Sequence, residues 1–445
     1  MIFLDYYKNK RVGVLGLGKT GKSVADSLIA SGAEVRLYDD RAIVYRGLTA
    51  SNKLCDEKLA ALIVSPGINI LWPKVHPIIK AARENLIPIL SDLDLFQQQA
   101  KNKKTICITG TNGKSTTTVL TRHLFNSAGK KTEIGGNFGI PLLLVDPNAD
   151  FFVFELSSHQ LESSFILGFD TAILLNISPD HLMRHGGMEG YIAAKQKIFA
   201  NFHEKSTAII GVDDERCVKI FEFLKKINHP RVIPISGDKV PDFGIGWEDD
   251  NLVDNRFNSR EIVCGKIPDF DGKHNRQNIA AAYAAFVQHG LDKKSFHEKL
   301  LSFKGLEHRQ EIVARIDGVL YVNDSKATNA DSTKQALKRF DNIIWILGGR
   351  PKEDGIGSLV KYFDKIRFAF LIGEAAEDFA VLLSERGVKN EIAETLDEAV
   401  RRSKEFAKIY NADVVLLSPA CASFDQFRDF EERGERFKNL VGETT

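Results

Sequence analysis

With 445 residues, 43% hydrophobic and 27% charged, the chain has the composition of a globular protein with room for about three domains. A net charge of +1 gives no global field to draw in nucleic acid or a membrane surface, so partners must be chosen by local sites. No apolar run approaches the roughly 18 residues of a membrane helix, the start Met1-Ile2-Phe3-Leu4-Asp5 lacks a signal-peptide pattern, and five scattered cysteines with no metal-ligand spacing fit buried or free thiols in a reducing cytoplasm.

Residues 1–92 read as a first α/β unit. Arg11 to Leu15 is an apolar strand, Gly16-Leu17-Gly18-Lys19-Thr20-Gly21 a turn, Lys22 to Ala30 a helix and Glu34 to Tyr38 a second strand ending at Asp39-Asp40-Arg41. This is a G-x-G-x-x-G turn after a strand with an acid at the end of the next one, a pattern that binds the phosphates of a dinucleotide. Ala61 to Val64 is a further strand, stopped by Ser65-Pro66-Gly67.

Residues 93–305 form the second unit. The strand Thr105 to Thr109 runs into Gly110-Thr111-Asn112-Gly113-Lys114-Ser115-Thr116 and then a helix over Thr117 to Ala128. Such a turn presents backbone N–H groups and a helix N-terminus to phosphate, Lys114 adds charge, and Ser115 can reach a Mg²⁺ on the same phosphates. The expected occupant is ATP. The loop is two residues shorter than the usual phosphate-loop spacing. Phe151 to Phe154 is a buried strand ending in Glu155, and Thr171 to Asn176 another, followed by Ile177-Ser178-Pro179-Asp180-His181. Ligands of an open α/β sheet sit at the carboxyl ends of its strands, so these ends and the loop are expected to converge on one metal–nucleotide site. Gly190 to Phe199 is helical and carries Lys195. Residues 231–273 look irregular, with short strand candidates, and His274-Asn275 opens an Ala-rich helix.

In residues 306–445 the strands Val319 to Val322, Ile343 to Leu347, Phe368 to Ile372 and Asp413 to Leu417 alternate with helices, which indicates another parallel sheet. The charged run Arg428 to Lys438 reads as the solvated face of a last helix. The fold class is therefore α/β, with a Rossmann-like N-terminal domain, a central phosphate-loop ATPase domain and a Rossmann-like C-terminal domain.

The loop Gly110 to Thr116, His274-Asn275 before an Ala-rich helix, and Asn323-Asp324-Ser325-Lys326-Ala327-Thr328-Asn329 occur in that order. Together they resemble the Mur ligase family, over all three units. Gly305-Leu306-Glu307-His308-Arg309, Leu417 to Phe427 and Phe430-Glu431-Glu432-Arg433-Gly434 resemble the members that add D-glutamate. The resemblance implies cytoplasmic, ATP-driven amide formation in peptidoglycan synthesis. UDP-N-acetylmuramoyl-L-alanine and D-glutamate would be joined through an acyl phosphate, with a monomer allowed.

By the same resemblance Ser115 and Glu155 would hold one Mg²⁺ and His181 a second, and Lys195, carbamylated by CO₂, would be a further oxygen ligand of the metal site. Lys114, His181, Lys195 and Lys326 would be catalytic. Asn278, Arg309 and Asp324 would meet the adenosine. Lys19, Thr20, Asp39 and Arg41 would surround the UDP group, with Asn137, Gln160 and His181 toward the sugar. Thr328, Lys352, Ser423, Phe424 and Phe430 would take D-glutamate. His159 stands where the family pattern has Phe, and Arg350-Pro351 departs from the small, acidic pair before Lys352. Without the resemblance, Lys195 reads as an ordinary exposed helical lysine, and the Gly16–Gly21 turn equally suits an oxidoreductase's dinucleotide.

Overall fold

The structure, a computed structural model, describes residues 1–54, 58–99, 103–227, 231–257, 260–265, 267, 272–351 and 355–443. It falls into two compact units, Met1–Phe303 and Lys304–Thr445.

The first unit holds two large sheets. One is parallel, with strands β1 (Arg11–Leu15), β2 (Glu34–Tyr38), β3 (Ala61–Val64) and β4 (Ile89–Leu90) in the order β2-β1-β3-β4. The other contains β5 (Lys104–Thr109), β6 (Thr132–Gly136), β7 (Phe151–Glu155), β8 (Thr171–Leu174), β9 (Thr207–Gly211), β10 (Val232–Ile235), β11 (Ile245–Glu248), β12 (Asn251–Asp254) and β13 (Glu261–Cys264). Their order is β13-β12-β11-β10-β9-β8-β5-β7-β6, parallel from β6 to β11 and antiparallel beyond. Every residue of β7 is buried, as expected of a parallel strand covered on both faces. The last four strands lie in the stretch that reads as irregular. Each has four residues, too few for periodicity to declare itself, and β11 and β12 turn at Asp249-Asp250.

One apolar cluster runs from Leu4, Val12, Val24 and Leu28 of the first sheet layer through Phe96 to Phe152, Phe154 and Leu174 of the second. The α/β unit expected to end at residue 92 thus shares its packing with the larger sheet. Asp92, at the start of the helix Asp92–Gln99, is caught at this junction, and its Oδ1 is buried with no partner. Burial raises its carboxyl to about 7, with Asp94 adding to the effect. Between pH 3.8 and about 7 the folded chain holds a proton that the unfolded chain has released, so stability falls as pH rises through that window. Asp92→Asn should therefore stabilise the protein at pH 8 by up to about 4 kcal/mol more than at pH 4. Urea unfolding at the two pH values checks this; equal effects would refute it.

The second unit has one sheet of β14 (Glu311–Ile316), β15 (Val319–Asn323), β16 (Ile343–Gly348), β17 (Ile366–Ile372), β18 (Asn390–Glu394) and β19 (Val414–Leu417). Their order is β14-β15-β19-β16-β17-β18, parallel except at β14. The closing helix, Phe430–Glu443, corrects the expectation of a wholly solvated face. Arg433, Gly434, Phe437, Leu440 and Val441 recur at helical spacing and are buried.

In the two sheets of the first unit, one strand is flanked on both sides by strands that come later in the chain: β1 by β2 and β3, and β5 by β7 and β8. In the sheet of the second unit the last strand, β19, is inserted between β15 and β16. Either way, loops distant in sequence leave neighbouring strand ends together, the crevice where open α/β sheets bind ligands.

Candidate active site

The phosphate loop leaves β5, and its helix, Lys114–Ser127, begins three residues earlier than the sequence predicts. Gly113 has φ +86°, and a Cβ there would lie 2.4 Å from Asn278 Oδ1. Only glycine suits both demands. Asn278 Oδ1 also accepts from Thr117 Oγ1 at 3.1 Å, while its Nδ2 is buried without a partner. The two predicted nucleotide contacts are thus packed on each other. Asn176, after β8, fixes the loop from the other side. Its carbonyl accepts from Thr111 N–H at 2.9 Å, its Oδ1 from Asn112 N–H at 2.9 Å, and its Nδ2 donates to Asn112 O at 3.1 Å. Ser115 and Thr116 are buried in the first helical turn.

Glu155 closes β7, beside the loop, and is 2% exposed. Its Oε1 accepts from Asn137 Nδ2 at 2.6 Å, and its Oε2 is buried with no donor among the described residues. A buried carboxylate oxygen left over beside a phosphate-binding turn fits a hard, oxygen-seeking cation such as Mg²⁺.

Lys195 overturns the ordinary reading of an exposed helical lysine, being 2% exposed on the helix Met188–Gln196. Its Nζ donates to Gly110 O at 2.8 Å and lies 4.7 Å from the Tyr191 ring centroid. Lys114 Nζ donates to the same Gly110 O and to Thr111 O, both at 2.9 Å. Burial, then repulsion from Lys114, pulls the Lys195 ammonium down to about 7. Tyr191, one turn earlier, places its hydroxyl 3.1 Å from Thr111 Oγ1.

His181 is a half-exposed residue in the left-handed region, φ +51°, next to Asp180 at 3.5 Å. Its ring begins a row: His159 at 5.0 Å, then His185 at 5.4 Å from His159, then Tyr191 at 5.5 Å from His185. Burial, with His181 adding, lowers His159 to about 4, so the ring standing in the aromatic position is neutral. His185 is held by Glu162 Oε1 at 3.0 Å and Ser158 Oγ at 2.9 Å. Gln160 is engaged locally. It forms a capping box with Ser157, its Oε1 accepting from Ser157 N–H at 3.1 Å.

At the first sheet, Lys19 and Thr20 open the helix Lys19–Ala30, again three residues earlier than expected. Asp39 is buried. Its Oδ2 accepts from Leu17 N–H at 2.7 Å and its Oδ1 from Arg41 Nε at 2.9 Å. The Arg41 hydrogen bond holds its carboxyl down at about 2. Lys19 Nζ donates to Gly139 O, 3.2 Å away, near Asn137.

The other predicted residues lie in the second unit. Asp324, expected to accept from ribose hydroxyls, is buried. Its Oδ2 accepts from Ser418 Oγ at 2.7 Å and its Oδ1 from Gln310 N–H at 3.1 Å. Burial raises it to about 7. Arg309 Nε is buried and has no partner among the described residues. Lys326 Nζ lies 4.8 Å from the Phe430 ring centroid, and Thr328 N–H donates to Lys326 O at 2.9 Å. Ser423 is buried and Phe424 largely exposed. Lys352 lies outside the described residues, as does Cys55; the other four cysteines are buried and free.

Sequence reasoning missed Asn176, the Gln277–Asp213 pair behind it (2.7 Å) and the Glu162–Arg184 ion pair at 2.6 Å. Asn176 had a local signal, a polar residue ending an apolar strand. The others are partners only through the fold.

Residues 108–286 match the Mur ligase middle domain, and residues 308–421 the family described as Mur ligase, glutamate ligase domain. A protein of Rhodospirillum rubrum named UDP-N-acetylmuramoylalanine--D-glutamate ligase is 42% identical, over 100% of this chain and 96% of its own. Proteins of the same name from Paramagnetospirillum magneticum (43%, 99% and 98%) and Rickettsia prowazekii (40%, 98% and 99%) are similar along their whole length. Among solved structures, the UDP-N-acetylmuramate-alanine ligase of Thermotoga maritima superposes with TM-score 0.60 at 18% identity, over 98% of this chain and 100% of that one. MurF of Acinetobacter baumannii gives 0.58 at 17%, over 100% and 92%, so both share the fold. The chain belongs to the Mur ligase family.

Proposed function

We propose that this chain is the ligase that joins D-glutamate to UDP-N-acetylmuramoyl-L-alanine in peptidoglycan synthesis, converting ATP to ADP and phosphate. The observation that carries the reading is the meeting of Lys114, Lys195 and the Gly110 carbonyl beside the unpartnered Glu155 oxygen. Full-length relatives bearing that ligase name support the acceptor.

The chemistry brings an anionic carboxylate against an anionic phosphate, so positive charge must screen both. Mg²⁺ held by Ser115, Glu155, His181 and Lys195 as a carbamate, with two ions expected, would supply most of that screening. Lys114 would turn from its backbone carbonyls to the phosphates, and the loop N–H groups would orient them. The L-alanine carboxylate attacks the γ-phosphorus, and ADP leaves. The D-glutamate amine then attacks the acyl carbon, loses a proton, and expels phosphate. Asn278, Arg309 and Asp324 are assigned to adenosine and Lys326 to the departing phosphate. The division of labour runs along the chain: residues 1–92 for the UDP group, 93–305 for ATP, 306–445 for the amino acid.

The Lys195 carbamate is favoured by the environment of its amine. A group lowered to about 7 is substantially neutral at physiological pH, as attack on CO₂ requires, and the anion formed would sit beside the Lys114 cation. Among the described residues no helix is long and apolar enough to cross a membrane, which suits work on cytoplasmic ATP and a nucleotide-sugar.

ADP release with UDP-N-acetylmuramoyl-L-alanine, tested with D-glutamate, L-glutamate, L-lysine and meso-diaminopimelate, decides the reading. Release with D-glutamate alone is expected, and no D-glutamate-dependent release overturns it. Ser423→Ala should raise the D-glutamate KM about tenfold with the ATP KM little changed, because a buried hydroxyl facing a carboxylate is lost. Equal changes in both constants would remove Ser423 from the acceptor site.

A further inference from the structure

The second unit contains a buried cation for which the reaction as described has no use. Arg433, on the helix Phe430–Glu443, is 1% exposed. Its Nε donates to Ser325 Oγ at 3.0 Å, and its Nη2 to Ser325 O at 2.8 Å and Cys421 O at 3.2 Å. All three acceptors are neutral. Nη1 is buried with no acceptor among the described residues. Asp425, whose charge reaches this guanidinium, instead accepts from Glu374 N–H at 3.1 Å. Burial pulls Arg433 down to about 10, which still leaves it charged at neutral pH. Among the described residues no carboxylate hydrogen-bonds or ion-pairs with Arg433, Asp425 acting on it only from a distance; a buried cation so weakly compensated is costly, and a staple between loops needs only a neutral donor.

Its position indicates which anion completes it. Ser325 stands between Asp324 and Lys326, and its Oγ, besides accepting from Arg433, donates to Phe430 O at 2.8 Å. Cys421 is two residues before Ser423. The unpartnered Nη1 lies under Gly349, where a Cβ would come within 3.2 Å of it. Arg350 and Ala422 pair their backbones at 2.9 and 3.0 Å just above. The guanidinium thus underlies the loops that leave β15, β16 and β19, which carry Lys326, Thr328 and Ser423.

We propose that Arg433 is a positioning residue for the acceptor amino acid: from beneath the three loops its charge, to which no described carboxylate is bonded, supplies the positive potential that selects a doubly anionic acceptor. It does so without touching the substrate, by holding the loop backbones and by leaving their upper surface uncompensated until two carboxylates arrive. This rests on the D-glutamate reading above.

The test is steady-state kinetics of the full chain as wild type, Arg433→Met and Arg433→Lys, with D-glutamate and ATP varied separately and melting temperatures recorded. Arg433→Met should raise the D-glutamate KM about 30-fold and the ATP KM less than about threefold, and Arg433→Lys, which keeps the charge, should return the D-glutamate KM to within about fivefold of wild type. A staple alone predicts otherwise. Loosening Ser325 would disturb its neighbour Asp324, so both KM values would rise together with no recovery in Arg433→Lys, and that result overturns the proposal. Should Arg433→Met fail to fold, a folded Arg433→Lys whose D-glutamate KM rises more than about tenfold overturns it equally. Wild-type chain that releases no ADP in response to D-glutamate overturns the functional reading itself, and this inference with it.

Discussion

Replacing Lys195 by alanine is expected to lower kcat by about 10³, and formate or another small carboxylate should restore part of the loss. A carbamate would carry an anionic oxygen ligand where the free lysine carries a cation, so the substitution would remove a metal ligand rather than a stray charge. The buried setting of the amine gives the effect a sign with pH. Below about 7 the amine is increasingly protonated, cannot add CO₂, and places a second cation beside Lys114. Activity should therefore fall as pH drops below neutrality, and wild-type enzyme freed of CO₂ should recover on adding bicarbonate. Intact mass measurement should find one added CO₂. A Lys195→Ala variant that turns over normally, or an activity indifferent to bicarbonate depletion, would leave Lys195 as a clip on the Gly110 carbonyl.

Glu155→Gln should cost about 10² in kcat/KM and raise the Mg²⁺ concentration needed for half-maximal activity at least about tenfold. The substitution keeps the side-chain shape, and its Oε1 can still accept from Asn137, so the fold at the end of β7 is retained. What disappears is the charge and the lone oxygen, Oε2, for which the described residues offer no donor. A Mg²⁺ titration of wild type and variant separates the two possibilities. An unshifted requirement with reduced turnover would make Glu155 a support for Asn137 and nothing more.

The parts of this site legible in the sequence were those written locally. A strand followed by Gly-rich turn and helix announces a phosphate loop from seven consecutive residues, and acids or polar residues that end apolar strands mark the ligand edge of a parallel sheet. Helix starts were misplaced by three residues at both Gly-rich turns, because the last residues of each turn already have helical geometry. Arg433 was hidden for a different reason. It belongs to a stretch that carries the family resemblance, but a run of acids and bases gives no sign of its burial, and the apolar residues that share its buried face, Phe437, Leu440 and Val441, all come later in the helix. Gln160 has a local role the sequence does not announce: its carbonyl oxygen completes its own helix's capping box. The partners of Asp324 were equally invisible, since its two oxygens accept from chain segments 14 and 94 residues away.

The apolar cluster that runs from the first sheet layer into the second bears on how the protein can be cut. A fragment ending at residue 92 would part Leu4, Val12, Val24 and Leu28 from Phe96, Phe152 and Phe154, with which they share one apolar cluster in the intact chain. Such a piece should be insoluble or clump with copies of itself, whereas residues 304–445, which keep their own two clusters intact, are the piece suited to isotope labelling and binding studies in isolation. In calorimetry the whole chain should then show melting in two blocks, with the first two sheets lost together.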